Sequence, residues 1–189
     1  MIGIDAKIER LKVLFEQGLF LDYSYNSYGR AFLNDRDGEV VPEILIDDTH
    51  EYKEVLLDDT IAASSFFVVR NDYTVKNSLV SGAVDIYFSV NLKTVYPDVT
   101  ERALEYLHRD VSKIINGESF ELANITSGKD AFSDFDIRLG DNMQPYYLAK
   151  FVTNTNWLYN ECVNVPDNAI VYENDNFIAM EDDSILIQG

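Results

Sequence analysis

Between positions 84 and 93 the chain alternates strictly. Val84, Ile86, Phe88, Val90 and Leu92 take turns with Asp85, Tyr87, Ser89, Asn91 and Lys93. A period of two predicts a half-buried strand with one apolar and one polar face. Tyr96-Pro97-Asp98 interrupts it. Val99, Ala103, Leu104, Leu107, Val111, Ile114 and Ile115 then recur at helical spacing and predict a helix over 98–116. Asp98 reads as its N-cap, with Glu101 three residues on to complete a capping box. Glu105 and Arg109 form an i,i+4 pair, and Gly117 stands where a left-handed C-terminal residue is wanted. The unit 82–117 is the clearest strand–helix pair in the sequence.

Around it the same reading continues. Ile4, Ile8, Leu11 and Phe15, widened by Leu14, predict an amphipathic helix over 4–17 that Gly18 ends. The polar, Tyr-rich segment 22–30 reads as a loop. Asp37-Gly38 is a hairpin-type turn, and Glu39–Ile46 a strand that Pro42 confines to an edge or a bulge. Segment 47–60 is acidic and irregular. Phe66, Phe67, Val68 and Val69 mark a short buried strand within 61–70. Asn71-Asp72 reads as a turn, 73–80 as a strand and Ser81-Gly82 as a tight connection, giving an antiparallel meander over 61–94. Strands are also expected at 120–126, 132–138 and 146–153.

The last stretch changes character, since 151–189 contains no Lys or Arg. Two apolar runs, 169–172 and 177–180, flank a hairpin at 173–176, and 184–187 adds a third strand. The expectation is an α+β fold: a mostly antiparallel sheet with two principal helices packed on it. Residues 1–159 form the core domain and 160–189 a short acidic C-terminal β appendage or arm.

Composition narrows the functional classes. The net charge is −18, from 33 acidic and 15 basic residues. Such a chain repels nucleic-acid backbones and anionic membranes. The 12 Tyr and 11 Phe make aromatic content high, and Tyr is favoured at contact surfaces because it offers apolar area and a hydroxyl together. The single cysteine, Cys162, excludes an internal disulfide and fits a reducing cytoplasm. Charges interrupt every apolar run of the opening MIGIDAKIERLKVLF, so neither a signal peptide nor a membrane span is expected.

No motif announces a reaction. The acidic pairs Asp47-Asp48, Asp58-Asp59, Asp182-Asp183 and Asp134 with Asp136 are poor chelates on their own, because neighbouring carboxylates on a strand point to opposite faces. The run Asn34-Asp35-Arg36-Asp37-Gly38 fails as a calcium loop, with Leu33 and Ile44 at ligand positions. Asp37 with Glu51-Tyr52-Lys53 faintly matches a metal-dependent nuclease pattern, without a basic DNA track to go with it. His50 and His108 have no nucleophile partner, and His108 is expected to face solvent or a partner. The reading is therefore a non-enzyme with no cofactor and no metal.

The segment Ser81-Gly82-Ala83-Val84-Asp85-Ile86-Tyr87-Phe88-Ser89-Val90-Asn91-Leu92-Lys93-Thr94-Val95-Tyr96, followed by a helix packed on the sheet, resembles the tail-terminator and tail-completion proteins of double-stranded DNA tailed bacteriophages. The similarity spans 1–155 in element order and 82–117 in wording. It implies a structural virion protein, assembled in the bacterial cytoplasm, that forms a homo-oligomeric ring at the head–tail neck. Its neighbours would be portal, connector and tail proteins, and DNA would pass through the lumen without specific binding. On this reading Tyr23, Tyr25, Tyr28, Trp157 and Tyr159 make subunit contacts. The alternative is a small acidic inhibitor that mimics nucleic acid in a basic groove, and the Tyr content also suggests a carbohydrate- or receptor-binding module.

Overall fold

A computed structural model describes residues 3–46, 51–55, 60–99, 101–135, 145–158, 180–181 and 184–185. The first helix, α1 (Ile4–Gly18), buries Ile4, Ile8, Leu11 and Phe15, as their spacing requires. Strands β1 (Tyr25–Arg36), β2 (Glu39–Ile46), β3 (Glu51–Glu54), β4 (Ala63–Val69), β5 (Thr74–Lys76) and β6 (Leu79–Asn91) follow. The short helix α2 (Leu92–Val95), a 3-10 turn at Pro97–Val99 and α3 (Ala103–Asn116) come next. Then come β7 (Phe120–Ser127), a 3-10 turn at Gly128–Phe132 and β8 (Tyr146–Leu158).

These strands make one eight-stranded sheet, ordered β3-β2-β1-β4-β6-β8-β7, with β5 also paired to β6. All pairings are antiparallel except β1 with β4. The architecture is thus α+β, with a mostly antiparallel sheet. Helices α1 and α3 cover one face. Phe15, Phe67, Phe88, Phe151, Leu107 and Ile115 meet there, each with no exposed surface. Leu107, Val111 and Ile115 each contribute roughly 1.5–3 kcal/mol by burial.

Several boundaries differ from the sequence reading. The segment expected as a Tyr-rich loop enters the sheet at Tyr25, because Ser27 and Tyr25 both hydrogen-bond the buried Ser65 of β4. Pro42 is not on an edge strand: β3 flanks β2 beyond it. It is accommodated one residue past the last β2–β3 pair, Glu43 with Glu54, where its carbonyl accepts from Val55 N–H and no proline donor is needed. The turn before β6 is Asn77-Ser78, with φ of 52° and 61°, matching the positive-φ pair at Asp37-Gly38.

Gly82 is therefore inside a strand rather than at a turn. A Cβ there would lie 2.8 Å from both Trp157 Cη2 and Tyr73 Cβ, so the position is closed to side chains. Gly82→Ala should destabilise the fold by about 1–3 kcal/mol in urea unfolding. A change within experimental error would show that Trp157 is free to move.

The helix expected over 98–116 begins at Ala103. Pro97 disfavours helical backbone at the residue before it, and Tyr96 adopts φ −126°, ψ 61°. The capping device lies earlier: Asn91 accepts from Thr94 N–H at 3.2 Å and starts α2. Asp98 falls in the 3-10 turn, and the N-cap residue of α3, Arg102, makes no side-chain cap. Gly117 is right-handed (φ −77°), not left-handed. Arg102 pairs with Glu105, and Arg109 with its neighbour Asp110, in place of Glu105 with Arg109. Residues 133–135 continue a turn where a strand was expected. In the C-terminal stretch the described residues form a two-residue antiparallel pair, β9 (Met180–Glu181) with β10 (Ser184–Ile185). The other expected features of the appendage, Tyr159 and Cys162 lie outside the described residues.

Candidate functional site

The second sheet face carries the unusual chemistry. Along β6 the even positions enter the helix-covered core, so Asp85 and Tyr87 face the other way. Tyr87 and Lys150 are direct partners across β6 and β8, with Asp85 one step diagonal. Beside them Arg70 leaves the end of β4, its N–H bonded to Ala83 carbonyl. The turn after β7 lays Phe132 and Phe135 on Phe66 and Tyr87, with ring centroids 4.8–6.0 Å apart. It also brings in Asp134.

The result is a partly buried ionic cluster beside an aromatic one. Arg70 Nε donates to Asp85 Oδ2 at 2.8 Å, and Lys150 Nζ reaches the same oxygen at 3.0 Å. Lys150 Nζ also donates to Asp134 Oδ2, which accepts from the Tyr87 hydroxyl at 2.6 Å. The side chains of Lys150 and Asp85 are 8% and 4% exposed. Asp85 Oδ1 is buried and has no hydrogen-bond partner among the described residues.

Burial, then the adjoining Asp134 carboxylate, pushes the Tyr87 hydroxyl far above its ordinary range, so it stays a donor. Burial works to raise Asp134, but hydrogen bonds from Lys150 and Tyr87 outweigh it and hold the carboxyl below its usual value. A depressed folded-state pKa gives stability that is present above the unfolded value and lost as pH falls through the folded one. Asp134→Asn should therefore be less stable than wild type at pH 7. The gap should begin to narrow below about pH 4 and close once the pH has fallen past the depressed folded-state value. Urea midpoints at both pH values check this, and a gap that widens in acid would contradict it.

Among the described residues, the covering turn leaves part of this face open. One groove of 580 Å³ runs over Asp85 and Tyr87, walled by Phe32 and Asn34 of β1 and by Val68 and Arg70. A second, of 730 Å³, crosses the exposed ends of β6, β8 and β7 past Ser81, Asn154 and Glu121. Arg70 and Asp72 line both.

The residues picked from sequence as contacts do not converge. Tyr23 and Tyr25 pack on the helix-covered core and Tyr28 on the aromatic cluster, each half-buried. Trp157 is a correction: it is buried among core residues at 5% exposure, because it faces the helices opposite Val80, and it is not a surface anchor. His108 is half-buried rather than solvent-facing, since its ring packs edge-on to Phe151 and bonds Ser127 Oγ at 3.2 Å. Asp37 lies at the opposite end of β2 from Glu51 and Lys53, so the nuclease-like triplet is not assembled. Asp35 Oδ1, from the calcium-like run, accepts from Gly38 N–H at 2.8 Å and closes the hairpin instead.

Exposed apolar side chains gather elsewhere. Beyond Ala31 the strand β1 leaves β4 and pairs with β2, which pairs with β3, as a ribbon off the main sheet. Leu45 and Tyr52 face each other across β2 and β3 and are 41% and 45% exposed. Leu33, opposite Pro42, is exposed on the other face of the ribbon. No signal in the sequence marks this pair, since it lies at the rim of the irregular acidic segment. No helix among the described residues is long and apolar enough to cross a membrane. The chain matches no protein-family model and no curated protein.

Proposed function

We propose that this chain is a structural subunit that assembles with copies of itself into a ring, in the manner of the neck proteins that join head to tail in tailed phages. The observation that carries the reading is that, among the described residues, the sheet is open and ends in two unlike edges, β3 and β7, with the exposed Leu45–Tyr52 pair beside one of them. Unlike edges favour head-to-tail contacts, which close into a ring when the rotation per subunit allows. Glu51, Lys53 and Glu54 place charges along β3, which guards the edge against indiscriminate pairing and leaves the side-chain patch to choose the partner. Portal, connector and tail proteins would be the neighbours. A strongly acidic lumen would let DNA pass without holding its phosphates.

Electron microscopy of the purified protein tests this. Annular particles are the expected result. A monodisperse monomer at high concentration would contradict it, and a monomer that blocks a basic-groove nucleic-acid enzyme would establish the acidic-inhibitor alternative.

A further inference from the structure

The geometry points to a binding site for a guanidinium or ammonium group in the groove over Asp85, between β1, β4 and β6. Asp85 as a residue is 3% exposed, yet its Oδ1 has no partner among the described residues. Leaving a buried acceptor unsatisfied costs free energy that an incoming donor recovers. The volume of 580 Å³ suits a small ligand or a single inserted side chain.

Charge selects a cation. The basic groups around the groove are committed: Arg70 Nε and Lys150 Nζ both hold Asp85 Oδ2, and Arg30 holds Asp5 at 2.7 Å. The carboxylates of Asp72, Asp85 and Asp134 all line the groove, and the chain as a whole carries −18. An anion meets that field unfavourably, whereas a charged donor gains from it and makes a charge-assisted bond to Oδ1. Oδ1 is closed to bulk water, so a donor reaches it only when the side chains around it shift.

Saturation-transfer NMR on the methyl protons of methylguanidinium and methylammonium tests the site at fixed ionic strength, and it works on large assemblies as well as on monomers. Saturable binding is expected. Asp85→Asn should weaken it about tenfold or more. Because that variant also disturbs the ionic cluster, Asp72→Asn on the groove wall serves as the second, with a loss of roughly two- to fivefold expected. Absence of saturable binding in wild type would overturn the site. So would unchanged affinity in a folded Asp85→Asn, or in Asp72→Asn.

The same titration distinguishes the source of the cation. Oligomers that dissociate as methylguanidinium fills the groove identify an Arg or Lys of a neighbouring copy. Oligomers that persist identify a free small cation. A monomeric wild type that still binds would remove the ring and leave the site standing.

Discussion

Lys150→Met should destabilise the protein by about 2–3 kcal/mol at pH 7, the largest effect expected among the polar replacements considered. Methionine keeps the stem and removes the charge. Asp85 then keeps one cationic partner, Arg70, and Asp134 loses its ion pair to Lys150. The loss follows from the buried Asp85 carboxylate being left with a single cationic partner, since Asp134 is 43% exposed and water can take up its charge. Replacing Asp85 and Lys150 together by apolar residues of similar size should therefore cost less than Lys150→Met alone. A urea-unfolding difference below about 1 kcal/mol for Lys150→Met would place the cluster in the class of solvent-screened surface pairs.

Phe151→Ala should be more damaging, about 3–5 kcal/mol, by a different route. Phe151 has no exposed surface and meets the rings of Phe88 at 5.6 Å and His108 at 5.7 Å. Truncation opens a cavity between the central strand pair and α3, and those neighbours are held by their own strand and helix. Burial also holds the His108 ring below its ordinary pKa. The cavity should admit water and let His108 move back towards the usual histidine range. An NMR titration of His108 in the variant reads this alongside the denaturation midpoint, and an unmoved His108 would show that the site had collapsed around the gap.

The elements that follow a simple period were legible in the sequence. The stripe Ile4, Ile8, Leu11, Phe15 gave α1, and the alternation from Val84 to Val90 gave the core of β6. What escaped was set by tertiary contacts. Tyr25 and Ser27 lie in a polar-looking run, and only their bonds to Ser65 across a parallel pair make it a strand. Gly82 read as a turn because nothing local reveals that Trp157, seventy-five positions later, needs its space. The ionic cluster was invisible for the same reason. Arg70, Asp85, Asp134 and Lys150 come from four separate segments, and Asp134 was noticed only as half of an acidic pair. The Leu45–Tyr52 patch depends on where β2 and β3 part from β1, which no spacing rule encodes.

Mass in solution bears on the assembly most directly. Static light scattering of the wild-type protein, run beside Leu45→Lys, should give a single closed oligomer, many times the 21.6 kDa of one chain, for the wild type. The variant should give a smaller species with unchanged circular dichroism, because the lysine stands on an exposed position and disturbs only the contact. A wild-type mass equal to one chain across the accessible concentration range would contradict self-assembly as the function of this fold.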